Sequence, residues 1–205
     1  MAYGDPTGSL EEHHSAIAMV QLSNAVPEQI HIHFETAKNA YLYAWCVYRF
    51  HMVAEHYVFS TLELALRERL NELGLVPTGK GQPRGLADWI RLAAKHSLIS
   101  NGRFGLGESM ARRRAEDRLS DEMRKKMIEE NLTEIEYSLA DAKILPEDSL
   151  DWVEHYATHM PKIRNLHAHG TDMLYPTVLY SFHVVADFIN QCYALPSAST
   201  GVQTT

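Results

Sequence analysis

The spacing of apolar residues along the chain predicts a protein built from helices. Between Glu28 and Leu73 there is no proline and no glycine, and apolar residues recur every three or four positions. This segment is predicted to form one long helix, or two helices with a kink, with Gly74 as its C-cap. We find no convincing alternation of apolar and polar residues of the kind that marks a strand. The sequence therefore predicts an all-α fold, a compact bundle of about five to seven helices.

The other predicted helices lie between stretches rich in glycine and proline. They are expected over residues 86–98, 108–131, 149–160 and 175–193, with a weaker helix over 131–142. Thr133 and Glu136 have the spacing of a capping box for the weaker helix, and Pro146 is expected to break it. Pro161 is expected to open a new segment after the helix 149–160.

The chain is interpreted as one domain with an extension at each end. Residues 1–27 form an N-terminal extension, partly helical, in which Ser9 and Glu12 have the spacing of a capping box. Residues 28–195 form the helical domain, and the Ser/Thr-rich residues 196–205 form a flexible tail. A chain of 205 residues is long enough to bury a sizeable core.

Composition and cysteine usage indicate a cytoplasmic globular protein. Cys46 and Cys192 are far apart in apolar helical sequence, so both are expected to be buried thiols in a reducing compartment. No signal peptide is visible, and the most apolar run, Ala40–Tyr48, is shorter than the ~20 residues of a membrane span. That run is therefore expected to be a buried helix, with no role for a membrane.

The formal net charge limits how the protein can bind nucleic acid. At −7 it argues against broad, sequence-blind binding, which needs a basic surface. This net charge is still compatible with a small site that holds one phosphate. The basic cluster between Arg112 and Lys126 alternates with acidic residues, so it is either a solvated face crossed by ion pairs or a guide for RNA.

Functional side chains are most concentrated in the segment Arg164-Asn165-Leu166-His167-Ala168-His169-Gly170. Arginine binds phosphate through its planar guanidinium, and histidine transfers protons near neutral pH. Together these groups are suited to phosphodiester cleavage without a metal. The alternative is structural: Arg164 pairs with a carboxylate, and His169 is a hydrogen-bonded core histidine. His167 is ranked below His169 as a candidate functional residue.

The Arg-Asn-x-x-x-His run resembles the signature of the HEPN superfamily of all-helical domains. Many of these domains are metal-independent endoribonucleases of toxin–antitoxin and antiphage defence systems. Two further stretches, Thr61–Leu70 and Ala186–Asn190, are similar to an earlier helix and to the closing helix of the superfamily. The resemblance covers residues 28–195, but only the Arg-Asn-x-x-x-His run is specific.

The resemblance implies a mechanism without cofactor or metal. His169 would act as general base or acid, Arg164 would stabilise the charged phosphate, and Asn165 would orient a partner or the phosphate. Glu63 is the first choice for a polar residue that supports them, and Glu55 the second. The substrate would be RNA, such as a tRNA, and the product would carry a 2′,3′-cyclic phosphate.

The spacing within the motif bears on how a site could form. Five residues separate Arg164 from His169, about 1.4 turns or ~140° on an ideal helix. The two side chains would diverge unless the helix ends near His169 or a second subunit completes the site. The resemblance to HEPN nucleases implies that a second subunit completes the site, because in those nucleases two copies of the motif face each other across a homodimer. An antitoxin or regulatory protein is a further expected partner.

Three other possibilities come from the sequence. In the first, the domain keeps the motif only as scaffolding and binds a protein or a nucleotide. His155 and His159, four residues apart on a predicted helix, have the spacing of two metal ligands, although no Cys-x-x-Cys accompanies them. Glu63 and Arg67 have the spacing of an intrahelical ion pair.

Overall fold

The described part of the chain consists of α-helices joined by turns, loops and short 3-10 helices. The computed structural model describes residues 9–105, 107–168 and 178–194, and within these it contains seven α-helices and no strand. They are α1 (Leu10–Ala18), α2 (Glu28–Tyr43), α3 (Phe50–Glu72), α4 (Leu86–Lys95), α5 (Gly107–Glu129), α6 (Trp152–Ala168) and α7 (Val178–Tyr193). The all-α prediction is confirmed. The predicted tail 196–205 lies outside the described residues.

The N-terminal helix is fixed by its cap and by its apolar face. Ser9 accepts from the backbone N–H of Glu12, and the Glu12 carboxylate accepts from the backbone N–H of Ser9 at 2.8 Å. This confirms the predicted capping box, which satisfies N–H groups that a helix start leaves without partners. Ile17 and Val20 are buried in the core that the later helices share. The described part of residues 1–27 therefore packs onto the bundle.

The long segment after Pro27 forms two helices, α2 and α3, joined by a turn over residues 44–49. α3 ends at the predicted glycine: Gly74 has a φ of 66°, and the Leu75 N–H donates to the carbonyl of Leu70 at 2.9 Å. A left-handed glycine with this bond is the usual C-terminal cap of a helix.

α3 is the central helix of the bundle and contacts α2, α4, α6 and α7. Its buried residues lie on several sides and include the apolar Val58, Leu62 and Leu66, together with one carboxylate, Glu55. α7 is the most apolar helix and packs along α3. Side chains on α3 therefore face several neighbouring helices, and this arrangement assembles the candidate site.

The prediction of a buried helix over Ala40–Tyr48 is wrong. α2 ends at Tyr43, and after the turn the chain continues as α3, which packs against α2. Exposed large apolar side chains line this turn and its flanks: Tyr43, Trp45, Val47, Tyr48, Phe50 and Val53. Cys46 is also exposed, contrary to prediction, whereas Cys192 is buried as predicted.

Two predicted boundaries in the second half of the chain are also wrong. The weak helix over residues 131–142 is absent apart from a single 3-10 turn at Leu139–Asp141. Most of that segment is exposed, so a helix there would have no apolar face to dock. Pro161 does not open a new segment, because α6 runs through it. The packing of α6 onto α3 and α4 accounts for a helix that continues despite the lost backbone hydrogen bond.

Candidate functional site

The contact between α3 and α6 positions the arginine of the motif. Arg164 on α6 donates a hydrogen bond from Nη1 to Oε2 of Glu63 on α3, and the two side chains form an ion pair. Each side chain is 24% exposed, so the pair lies at the edge of the core. Glu63 thus pairs with a residue of another helix instead of Arg67, the intrahelical alternative. The structure brings these two predicted site residues together.

The residues that follow Arg164 differ in their exposure. Asn165 and Leu166 are both exposed, so the amide side chain next to Arg164 is open to solvent. His169, the predicted proton-transfer residue, lies outside the residues that the structure describes. The described part of the motif is therefore an anchored arginine followed by a solvent-facing asparagine at the C-terminal end of α6.

His167 occupies a position that sequence reasoning did not assign to it. Its Nε2 lies 2.6 Å from Oε2 of Glu55 on α3, and Ser181 Oγ on α7 donates to Glu55 Oε1 at 2.5 Å. The His167 side chain is 5% exposed and that of Glu55 is 3% exposed. A buried carboxylate is costly unless it is hydrogen-bonded, and here both oxygens have a partner. Three helices thus meet at one buried polar cluster.

A cleft of about 560 Å³ opens beside this cluster. It is lined by Arg49, Met52, Val53, His56 and His167. The first four lie on one face of α3 and its N-terminal cap, at positions i, i+3, i+4 and i+7. Among the described residues, Nδ1 of His56 and Nδ1 of His167 are both buried without a hydrogen-bond partner.

A signal for the His167 position was present in the spacing. Arg164 and His167 are three residues apart, which puts them on the same face of a helix, whereas the five-residue spacing of Arg164 and His169 would not. Glu55 and Glu63 are eight residues apart on α3, close to two helical turns. The two glutamates on α3 and the two basic residues on α6 therefore have spacings that are compatible with two side-chain contacts between these helices. Which helices pair cannot be derived from these spacings.

The two histidines considered as metal ligands stack on each other. The rings of His155 and His159 lie 4.3 Å apart, and His159 Nδ1 is 2.7 Å from the carbonyl oxygen of His155. Burial, followed by the charges of His159 and Arg114, lowers the pKa of His155. In the part of the chain that the structure describes, no group of three or more His, Cys, Asp or Glu side chains is arranged to hold a metal ion.

Ion pairs occupy part of the basic segment on α5. Arg118 pairs with Asp148 at 2.7 Å and with Glu122 at 3.7 Å, and Arg124 pairs with Asp121 at 3.2 Å. The Arg118 hydrogen bond, followed by one from the Leu145 N–H, lowers the pKa of Asp148. These contacts favour the interpretation that the basic segment of α5 is a solvated helix face crossed by ion pairs.

The described helices do not have the properties of membrane spans. None of the helices in residues 9–105, 107–168 and 178–194 combines the length and apolar character that such a span requires.

Comparisons of the chain with family models, with curated proteins and with solved structures find no match. The features that bear on function are therefore the bundle and the side chains where α3, α6 and α7 meet.

Proposed function

We propose that this protein is a metal-independent endoribonuclease of the HEPN type, acting in the cytoplasm on RNA such as a tRNA. The observation that carries the proposal is the Arg164–Glu63 pair between α6 and α3, next to the exposed Asn165. A guanidinium anchored on one side by a carboxylate keeps other N–H donors for a phosphate. Its orientation is then fixed before substrate binds, which favours transition-state stabilisation.

In the proposed reaction, each residue of the motif has one task. His169 removes the proton from the 2′-hydroxyl or donates one to the 5′-oxygen, and Arg164 stabilises the charge that develops on the phosphate. Asn165 orients the phosphate by hydrogen bonding. The 2′-oxygen bonds to phosphorus as the bond to the 5′-oxygen breaks. The products carry a 2′,3′-cyclic phosphate and a 5′-hydroxyl.

The proposal includes a homodimer with the motif at the interface. The spacing of Arg164 and His169 in the sequence supports it: on an ideal helix five residues would separate the two side chains, and a second copy can supply the missing group. Leu166, between the two, is 50% exposed. We place the enzyme as the effector of a toxin–antitoxin or antiphage defence module, in which an antitoxin or regulatory protein controls cleavage.

RNA cleavage in EDTA tests the proposed function. Purified protein is incubated with total tRNA beside the Arg164→Ala and His169→Ala variants, and the products are resolved on a gel. The expected result is cleavage by wild type and a loss of about 100-fold or more in each variant. Arg67→Ala is the matched control. Arg67 is an exposed arginine on α3, four residues beyond Glu63, the partner of Arg164.

A second candidate function is a non-catalytic module that binds a protein partner or a nucleotide. The exposed apolar side chains around the α2–α3 turn, Trp45, Val47 and Tyr48 among them, favour a protein partner. In that case Arg164 and Glu63 serve only to join two helices. Wild-type protein would then leave every RNA intact, whatever the metal content of the buffer.

A further inference from the structure

A basic pocket lies outside the motif, between the loop 80–84 and the exposed face of α4. It has a volume of about 350 Å³. Five exposed charged side chains line it, four of them basic: Lys80, Arg84, Asp88, Arg91 and Lys95. Among the described residues that line it, Pro83 and Leu92 are the apolar ones and none is aromatic. The pocket is therefore suited to the charge of a phosphate group and not to the face of a base.

The carboxylates next to this pocket already have partners. Asp88 Oδ2 accepts from the backbone N–H of Arg84 at 3.0 Å, a bond that fixes the loop to α4. Glu154 of α6 accepts from Nε and Nη2 of Arg91 at 3.0 and 2.6 Å. The ion pairs found among the described residues do not include the side chains of Lys80, Arg84 and Lys95. These three positive charges are thus available to an anionic ligand.

The positive charge of this region contrasts with the net charge of the chain. Between Leu73 and Gly107 the sequence has five basic residues and one acidic residue, although the formal net charge of the protein is −7. α5 has seven basic and six acidic residues, and its ion pairs cross the helix face. Clustered lysines and arginines without matching carboxylates are typical of surfaces that bind nucleic-acid phosphates. The loop and α4 have this character, whereas α5 does not.

The contacts of α4 with α6 relate the pocket to the motif. Arg91, in the middle of α4, pairs with Glu154, and Asn101, beyond the end of α4, accepts from the N–H of Val153 at 2.9 Å. These contacts indicate that α4 runs antiparallel to α6, so the start of α4 lies towards the C-terminal half of α6. Glu154 precedes Arg164 by ten residues, about 15 Å along the helix axis. A folded RNA can therefore contact Arg164 and the pocket at the same time.

We propose that this pocket is a second RNA-binding site, which holds the sugar-phosphate backbone of the substrate at a distance from the motif. The identity of the ligand rests on the proposed ribonuclease function, whereas the residues are ones that this function does not use. Lys80, Arg84 and Lys95 bind phosphates of the strand. Such contacts do not read the bases, but they fix the position and orientation of the RNA relative to Arg164.

The first test measures RNA binding without cleavage. A fluorescent RNA stem-loop is fully 2′-O-methylated, so it lacks the hydroxyl that the proposed reaction needs, and fluorescence anisotropy gives its affinity at several salt concentrations. The double variant Lys80→Glu with Lys95→Glu should bind about 10-fold more weakly or worse, and its slope of log affinity against log salt should be shallower by about 1 to 2. Replacing both lysines by glutamine, which removes charge without adding acid, should give a smaller loss.

The matched control is the double variant Lys125→Glu with Lys126→Glu, which makes the same charge change at two exposed lysines of α5. We expect it to bind like wild type, and circular dichroism checks that every variant is folded. Wild-type binding by all variants, an equal loss in the pocket and control variants, or no binding by wild type would overturn the proposal. Stronger competition by poly-glutamate than by unlabelled RNA at equal charge would also overturn it, because the pocket would then fit an acidic protein.

Cleavage of tRNA separates this proposal from the proposed function. Lys80→Glu with Lys95→Glu should raise KM about 10-fold and leave kcat unchanged, because these residues hold the RNA and do not touch the reacting phosphate. If the variant cleaves with the KM of wild type, the second site is disproved and the ribonuclease proposal stands. If wild type binds the stem-loop through the pocket but cuts no RNA, the ribonuclease proposal fails and the RNA-binding site stands.

Discussion

His51 lies in a cluster of rings formed by α1, α2 and the start of α3. Its ring centroid is 5.2 Å from that of Tyr41, 5.0 Å from that of Tyr48 and 6.1 Å from that of His13. Burial, followed by the charge of His13, lowers the pKa of His51 from 6.5 to about 4. The unfolded chain therefore takes up this proton at a higher pH than the folded one.

The low pKa of His51 predicts that acid destabilises the fold in a defined window. Because the unfolded state binds the proton first, the free energy of unfolding should fall as pH decreases from 6.5 to 4. His51→Phe removes this group, so its stability should depend less on pH than that of wild type over the same window. Chemical denaturation at several pH values measures this, with the exposed His14→Phe as control. Equal slopes for wild type and His51→Phe would contradict the prediction.

At the residue scale, sequence predicts best where the chemistry is local. The Ser9–Glu12 capping box and the Gly74 cap depend on residues within a few positions of each other, and both form as predicted. The role of His167 was missed because its partner Glu55 is 112 residues away along the chain. Nothing in the local sequence shows which carboxylate the histidine will meet.

At the element scale, helices with a clear apolar face were predicted well. α4, α5 and α7 begin or end within a few residues of the expected positions in the described residues. The errors occur where tertiary contacts decide. Residues 132–138 have no buried face and stay non-helical, whereas α6 continues through Pro161 because it packs on its neighbours. Local propensity alone predicts the opposite in both places.

The continuity of α6 leads to a prediction for Pro161. Pro161→Ala restores a backbone N–H that can donate to the carbonyl of Ala157, and it removes the clash of the ring with the preceding turn. The free energy of unfolding should rise, by up to ~3 kcal/mol. Thermal and urea unfolding measure it, with Lys162→Ala as an exposed control in the same helix. Unchanged or lower stability would mean that the fold has adapted to the proline.

At the scale of the whole molecule, the bundle places its chemistry at one end of α6. The ion pair of Arg164, the buried cluster around Glu55 and the cleft lined by His56 all involve α3. The exposed apolar side chains between Tyr43 and Val53 lie at the same end of α3 as the cleft. Sequence predicted the class of fold, but this convergence depends on how the helices pack.

The proposed homodimer predicts that two inactive variants restore each other. If each site takes Arg164 from one copy and His169 from the other, mixed dimers of Arg164→Ala and His169→Ala contain one intact site. Random exchange of subunits would then recover about a quarter of wild-type activity. The variants are mixed, allowed to exchange and assayed with tRNA, and each variant alone serves as control. No recovery after verified exchange would show that Arg164 and His169 do not act across the interface.

The chemistry of the RNA ends tests the central claim most directly. Wild-type protein is incubated with tRNA in EDTA, and the fragments are treated with a kinase–phosphatase that removes cyclic phosphates. We predict fragments with 2′,3′-cyclic phosphate and 5′-hydroxyl ends, formed without metal and absent with Arg164→Ala. Fragments that carry 3′-hydroxyl ends before this treatment, or cleavage that requires magnesium, would contradict the account.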